Sequence, residues 1–169
     1  MLKKFAAAAA LAFVASSSFA AAPVAFYGGV DLGVTDADDY IDGNKASVGA
    51  FVGYGFNQNF AVEVGYRQLG KWDDIRAKQT HVSVLGFLPL NPQTDVYARL
   101  GYNQVKAEQT YSYTYRGFTE TYTVGVKDDR ALFGLGLNYS FSNQLSGRVE
   151  VQKPVSGVTN AHAALVWKF

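Results

Sequence analysis

From Val24 onward apolar side chains recur at every second position, in segments of about ten residues, and the three-to-four spacing of an amphipathic helix is not sustained. Eight such segments can be counted. In the first, Val24, Phe26, Gly28, Val30, Leu32 and Val34 share one face, and Tyr27, Gly29, Asp31, Gly33 and Thr35 share the other. The second, 46–56, sets Val48, Ala50, Val52, Tyr54 and Phe56 against Ser47, Gly49, Phe51, Gly53 and Gly55. The third, 60–69, sets Phe60, Val62, Val64 and Tyr66 against Ala61, Glu63, Gly65 and Arg67. Segments 94–105, 130–141, 145–152 and 160–169 repeat the pattern, with Arg99, Arg148 and Glu150 on the face that carries glycine. Only 79–88 is mixed: Val82 and Val84 sit in one phase, Leu85 and Phe87 in the other, which predicts either a bulge or two inward valines. Pro23, Pro89, Pro92 and Pro154 fall between segments, where a missing N–H breaks no ladder. Connections 57–59, 89–93 and 142–144 are tight, whereas 36–45, 70–78, 106–129 and 153–159 are longer and polar.

A soluble barrel or sandwich buries its large apolar side chains. Here they occupy one face while glycine, serine and ionisable groups crowd the other, the inside-out pattern of a membrane barrel. Aromatic residues gather near segment ends, at Phe26, Tyr54, Phe56, Tyr66, Tyr102, Tyr139, Phe141, Trp167 and Phe169, where interfacial girdles lie. Hydrocarbon satisfies no backbone polar group, so the strands must close on themselves. The predicted fold is therefore all-β: a closed, antiparallel, up-and-down, eight-stranded transmembrane barrel.

Composition narrows the rest. Fifteen Lys and Arg against fourteen Asp and Glu lack the basic excess of a nucleic-acid binder, and no cysteine is present for a disulfide. Residues 1–20 read as an export signal: Lys3 and Lys4, an apolar stretch over 5–14, and a small-residue approach to cleavage ending in Ser18 and Ala20. The barrel domain is then 21–169.

The segments “FYGGVDLGV”, “AFVGYGFNQNFAVEVGYRQLG”, “DVYARLGY”, “GLGLNYSFSNQLSGRVEVQ” and “AALVWKF” resemble the small eight-stranded outer-membrane barrels, of which the transmembrane domain of outer membrane protein A is the type. That resemblance implies a Gram-negative outer membrane, contact with its lipid and lipopolysaccharide, short turns in the periplasm and long loops outside. It implies that Leu165, Trp167 and Phe169 form the C-terminal signal read by the barrel-assembly machinery. It also implies an electrostatic gate, with Glu63 and Arg148 at the matching positions; Val84 stands nearest the family's lumen lysine and Asn138 nearest its second glutamate. The resemblance covers the transmembrane domain, and with the chain stopping at Phe169 a peptidoglycan-binding domain and its anchoring role are not expected.

Four chemistries remain to be weighed. Asp31, Glu63, Arg67, Arg99, Arg148 and Glu150 balance three acids with three arginines, which predicts a paired lumen network that fills so narrow a barrel. The stretch 106–129 reads as a projecting hairpin, with Tyr111, Tyr113, Tyr115, Arg116, Phe118 and Tyr122 as contact residues for an extracellular protein or host-surface ligand. Neither face of it reads as aliphatic, so it adds no further lipid-facing strands. Asp36, Asp38, Asp39 and Asp42 make an acidic loop without EF-hand spacing, and no metal or cofactor is assigned. His81 and Ser83, if outward, would resemble the His-x-Ser pair of lipid A deacylases, but the nearest outward carboxylate, Glu108, lies well above them and His162 points inward. The expected role is non-catalytic, in envelope integrity or adhesion; the alternative is a narrow ion-conducting pore gated by lumen charges.

Overall fold

The computed structural model describes residues 25–37, 44–72, 75–115 and 118–169. Its strands are β1 (Ala25–Asp36), β2 (Lys45–Gly55), β3 (Phe60–Trp72), β4 (Ile75–Asn91), β5 (Thr94–Tyr115), β6 (Phe118–Ser140), β7 (Leu145–Val155) and β8 (Val158–Lys168). They pair in sequence order around a closed barrel. Closure is antiparallel, from Tyr27 opposite Lys168 to Asp36 opposite Thr159. Every shared edge is thereby hydrogen-bonded, as hydrocarbon requires.

The period-two pattern becomes two surfaces. Val30, Leu32 and Leu135 are 61–69% exposed on the outside, while Asp31 beside them is 3% exposed in the lumen. At the end with the short turns, rings meet in pairs: Phe26 and Tyr54 at 4.8 Å, Tyr54 and Phe56 at 5.2 Å, Tyr139 and Phe141 at 5.3 Å between centroids. Tyr66 and Tyr102 stand outward toward the other end.

β4 resolves neither way that its mixed pattern predicts. Val82 and Val84 face outward, half exposed, and pairing with β3 runs unbroken from Phe60 opposite Gly86 to Gln68 opposite Lys78. Leu85 is instead fully buried in the lumen, in a cluster with Tyr27, Phe51, Ala61, Tyr97, Ala164 and Val166, against which Phe87 packs. The lumen wall around Leu85 is apolar, so its side chain packs there at no disadvantage. Glycine makes room for the rings: a Cβ at Gly53 would lie 2.3 Å from Tyr27 Cζ, and one at Gly136 would lie 2.6 Å from Tyr97 Cζ.

The connections expected to be long are largely strand. β3 and β4 stay paired to Trp72 opposite Ile75, β5 and β6 to Tyr115 opposite Phe118, and β7 and β8 to Val155 opposite Val158. Above the membrane both faces meet water and the hydropathy alternation lapses, yet a ladder already in register extends without a new nucleus. Gly157 closes the last hairpin at φ 73°, a backbone region that suits glycine. Residues 1–20, the acidic positions Asp38, Asp39 and Asp42, and Arg116 lie outside the described residues.

Candidate functional site

Three strands, β3, β5 and β7, bring the central charges together. Arg99 on β5 grips Glu150 on β7 with two bonds, Nε to Oε1 at 2.7 Å and Nη2 to Oε2 at 3.0 Å. Its Nη2 also lies 2.7 Å from Oε2 of Glu63 on β3. Arg148 on β7 donates to Oε1 of the same Glu63. Two tyrosines complete the carboxylates: Tyr27 donates to Glu63 at 3.0 Å and Tyr97 to Glu150 at 2.7 Å. All four charged groups are buried, and two acids offset two bases. Desolvating charges is costly, and such a cluster persists only when each is paired and bonded.

Arg148 sits in an aromatic cage. Its Cζ lies 5.1 Å from the centroid of Tyr27, 5.4 Å from Phe87, 5.5 Å from Tyr97 and 5.7 Å from Phe51. Its Nε donates to Asn138 at 3.3 Å, and Asn138 donates to Asp95 at 2.9 Å. At the position resembling a second gate glutamate there is thus a neutral amide. Val84, at the position of the lysine, faces outward, so β4 contributes no lysine or arginine to the lumen cluster.

Above the centre, Arg67 donates to Asp31 at 2.8 Å and to Asn160 at 3.1 Å. Asn160 donates to Thr35 and Ser47, both at 2.8 Å, while Gln152, Gln79 and Asn103 form a chain of amides across to the carbonyl of Pro154. His162 places Nδ1 3.1 Å from Asn160 Oδ1 and Nε2 3.8 Å from Glu150. Tyr27, Tyr97 and the amides are participants the charge inventory missed; the signal for the tyrosines was their phase, each directly opposite a glycine. A cavity of about 700 Å³ at the short-turn end is lined by Tyr27, Phe87 and Arg148, and by none of Arg99, Glu150 or Arg67.

His81 and Ser83 do not face lipid. Unbroken pairing of Gly65 with His81 and Glu63 with Ser83 keeps both in the lumen phase, buried, with His81 Nε2 3.3 Å from Arg99 Nη1. The outward His-x-Ser arrangement is thereby overturned. Among the described residues no three His, Cys, Asp or Glu side chains are grouped to hold a metal ion.

The rim at the end with the long hairpins carries the second candidate. β7 pairs with β6 from Phe133 to Ser140, so among the described residues no strand lies beside β6 on that side above Phe133. Along this edge Val124 and Val126 are 59% and 68% exposed, and Tyr122 is exposed as well. Cross-strand pairing puts Ile75, Gln109 and Val124 on one rung and Ala77, Ala107 and Val126 on the next, in the phase of the lumen wall. One face of the projecting sheet is therefore aliphatic after all, on the side continuous with the lumen. By backbone register Tyr111, Tyr113, Tyr115 and Phe118 continue that phase beyond Tyr122. At the opposite end Leu165, Trp167 and Phe169 project outward.

A family model described as the OmpA-like transmembrane domain matches residues 21–168. Among solved structures, Neisserial surface protein A is similar at TM-score 0.66 and 13% identity, over 85% of this chain and 97% of that one. The N-terminal barrel of Pseudomonas aeruginosa OprF is similar at 0.56 and 12%, over 87% and 100%. Ail, the attachment invasion locus protein of Yersinia pestis, is similar at 0.52 and 17%, over 86% and 97%. No curated protein matches the sequence.

Proposed function

The chain belongs to the family of OmpA-like transmembrane domains, and from that premise we propose that it is a non-catalytic surface protein of the Gram-negative outer membrane that binds an extracellular protein or host-surface ligand through its β5–β6 hairpin. Residues 1–20 direct its export and are removed, leaving 21–169 as the barrel. Leu165, Trp167 and Phe169 present the C-terminal strand to the barrel-assembly machinery before insertion.

The single observation that carries the binding role is the sheet edge of β6 above Phe133, flanked by exposed Val124 and Val126. Unpaired backbone next to exposed apolar side chains invites strand addition, which supplies main-chain hydrogen bonds for affinity and side-chain contacts for specificity. Ail, on the same fold, carries attachment in its name. Deleting 110–124 is expected to lower adhesion of expressing cells at least tenfold while the barrel still assembles, as read by its heat-modifiable electrophoretic mobility. Unchanged adhesion by an assembled barrel overturns the role.

The conducting alternative finds less support. An eight-stranded barrel has an interior that side chains just fill, and here the centre holds four paired charges above an apolar cluster. Planar-bilayer recordings are expected to show no stable openings of porin size. Sustained openings of that size would reinstate the pore.

A further inference from the structure

The outward phase of the same strands carries different chemistry just above the upper girdle. Lys78 is paired with Lys106, and Lys106 with Lys127, so three lysines stand side by side on one rung of β4, β5 and β6. With strands about 4.8 Å apart, they fall within roughly 10 Å. On the next rung Lys71 is opposite Arg76, and Arg76 is opposite Glu108. Like charges directly opposite one another destabilise a sheet, and this register makes three such pairs.

Glu108 is the one carboxylate on these two rungs. Its Oε2 takes Lys78 Nζ at 2.7 Å. The carboxyl is held below the usual carboxylate range by that bond and by the charges of Lys78, Lys106 and Arg76, which places several cations around one point. Among the described residues neither Lys106 nor Lys127 is held by a carboxylate in a salt bridge, Glu108 being taken by Lys78. Asp129, one rung lower, is bonded by Gln104 at 2.9 Å. The outward positions at the same end of β1 and β8 are Val34, Asp36, Thr159 and Ala161, without a cation.

Height identifies the counter-ion. Below the lysines the outward rungs are Thr80, Gln104 and Asp129, then Val82 and Tyr102. Two rungs of tilted strand amount to about 10 Å. A girdle aromatic marks the edge of the hydrocarbon, and the headgroup layer adds about 5–8 Å beyond it. For Lys106 and Lys127, a stem bent down along the barrel wall delivers the ammonium group into that layer, while Lys78, bonded to Glu108 on the rung above, stands over it.

We propose that Lys71, Arg76, Lys78, Lys106 and Lys127 form a ledge on one side of the barrel that binds the phosphate groups of the outer-leaflet glycolipid, lipid A. It rests on the outer-membrane placement above and not on the adhesive role. Phosphate between the lysines converts the repulsion of the bare register into charge-assisted hydrogen bonds.

The test is titration of the detergent-folded full chain with bisphosphorylated lipid A, with lipid A stripped of both phosphates, and with inorganic phosphate. K106Q/K127Q is expected to bind bisphosphorylated lipid A at least fivefold more weakly than the unchanged chain, and K106R/K127R to retain binding. The unchanged chain is expected to bind the stripped lipid no better than K106Q/K127Q does. Without lipid A, K106Q/K127Q should resist urea at least as well as the unchanged chain, because repulsion has been removed; a merely structural role predicts lower resistance. Equal lipid A affinity in the unchanged chain and K106Q/K127Q overturns the ledge, and so does displacement of lipid A by millimolar inorganic phosphate. Loss of adhesion on deleting 110–124 stands or falls separately from either result.

Discussion

Glu63→Gln is expected to lower the unfolding free energy in phospholipid vesicles by about 3–5 kcal/mol, the usual cost of removing one partner from a buried ion pair. Glu63 neutralises Arg99 and Arg148 together. Glutamine keeps the shape and an acceptor for Tyr27, so the change isolates charge from packing. What remains is Glu150 facing two arginines in a lumen with no exposed member of the cluster. Arg148→Met in the same chain is expected to recover most of the loss, since it restores neutrality and keeps an apolar side chain among the rings of Tyr27, Phe51, Phe87 and Tyr97. The Arg99–Glu150 fork is untouched by the pair of changes. Urea unfolding of the three variants checks this, and a Glu63→Gln barrel as stable as the original would mean that the lumen charges are solvated and the plug is not dry.

Leu135→Arg is the second large effect, expected to cost about 2–4 kcal/mol in the same vesicles, the cost of a lipid-facing arginine at mid-depth. Leu135 is 66% exposed and paired with Ala98 and Val151, well above the ring pair at Tyr139 and Phe141. Gln104→Arg, one rung above Tyr102 on the same outer surface, is expected to cost about 0–1 kcal/mol, because near the interface a charge reaches water. A depth-dependent difference between two outward positions is a signature of hydrocarbon on the outside. Equal, small costs at both would indicate that the outer face is wet.

These two residues also mark how far the sequence carries. Leu135 was legible: its neighbours Gly134 and Gly136 fix the phase, and the outward face follows. Glu63 was legible as an inward charge, and Arg148 as its partner only through the family resemblance; that Arg99 reaches Glu63 as well while forking onto Glu150 was not, since that depends on registers accumulated around the barrel. Leu85 shows the limit differently. Its apolar side chain breaks the alternation of β4, but an apolar cluster in the lumen accepts it, and no one-dimensional pattern separates a lipid-facing leucine from one packed against Tyr97 and Phe51.

The rim was read least completely. The polar run at 70–78 looked like a loop because alternation fails where both faces meet water, whereas 106–129 was legible as a hairpin; hydrogen-bonded pairing continues through both. The lysine rung lay hidden for the same reason: Lys78, Lys106 and Lys127 are far apart in the chain and meet only through cross-strand register.

The sequence by itself determined eight strands, their faces and the side turned to lipid, because alternation is local and the solvent on each face selects it directly. Only the tertiary structure decided the charge pairs, the burial of Leu85, the height of the hairpins and the grouping of the lysines. Each of these depends on register between distant strands, which is set by turn length and bulges and by the requirement that β8 close on β1.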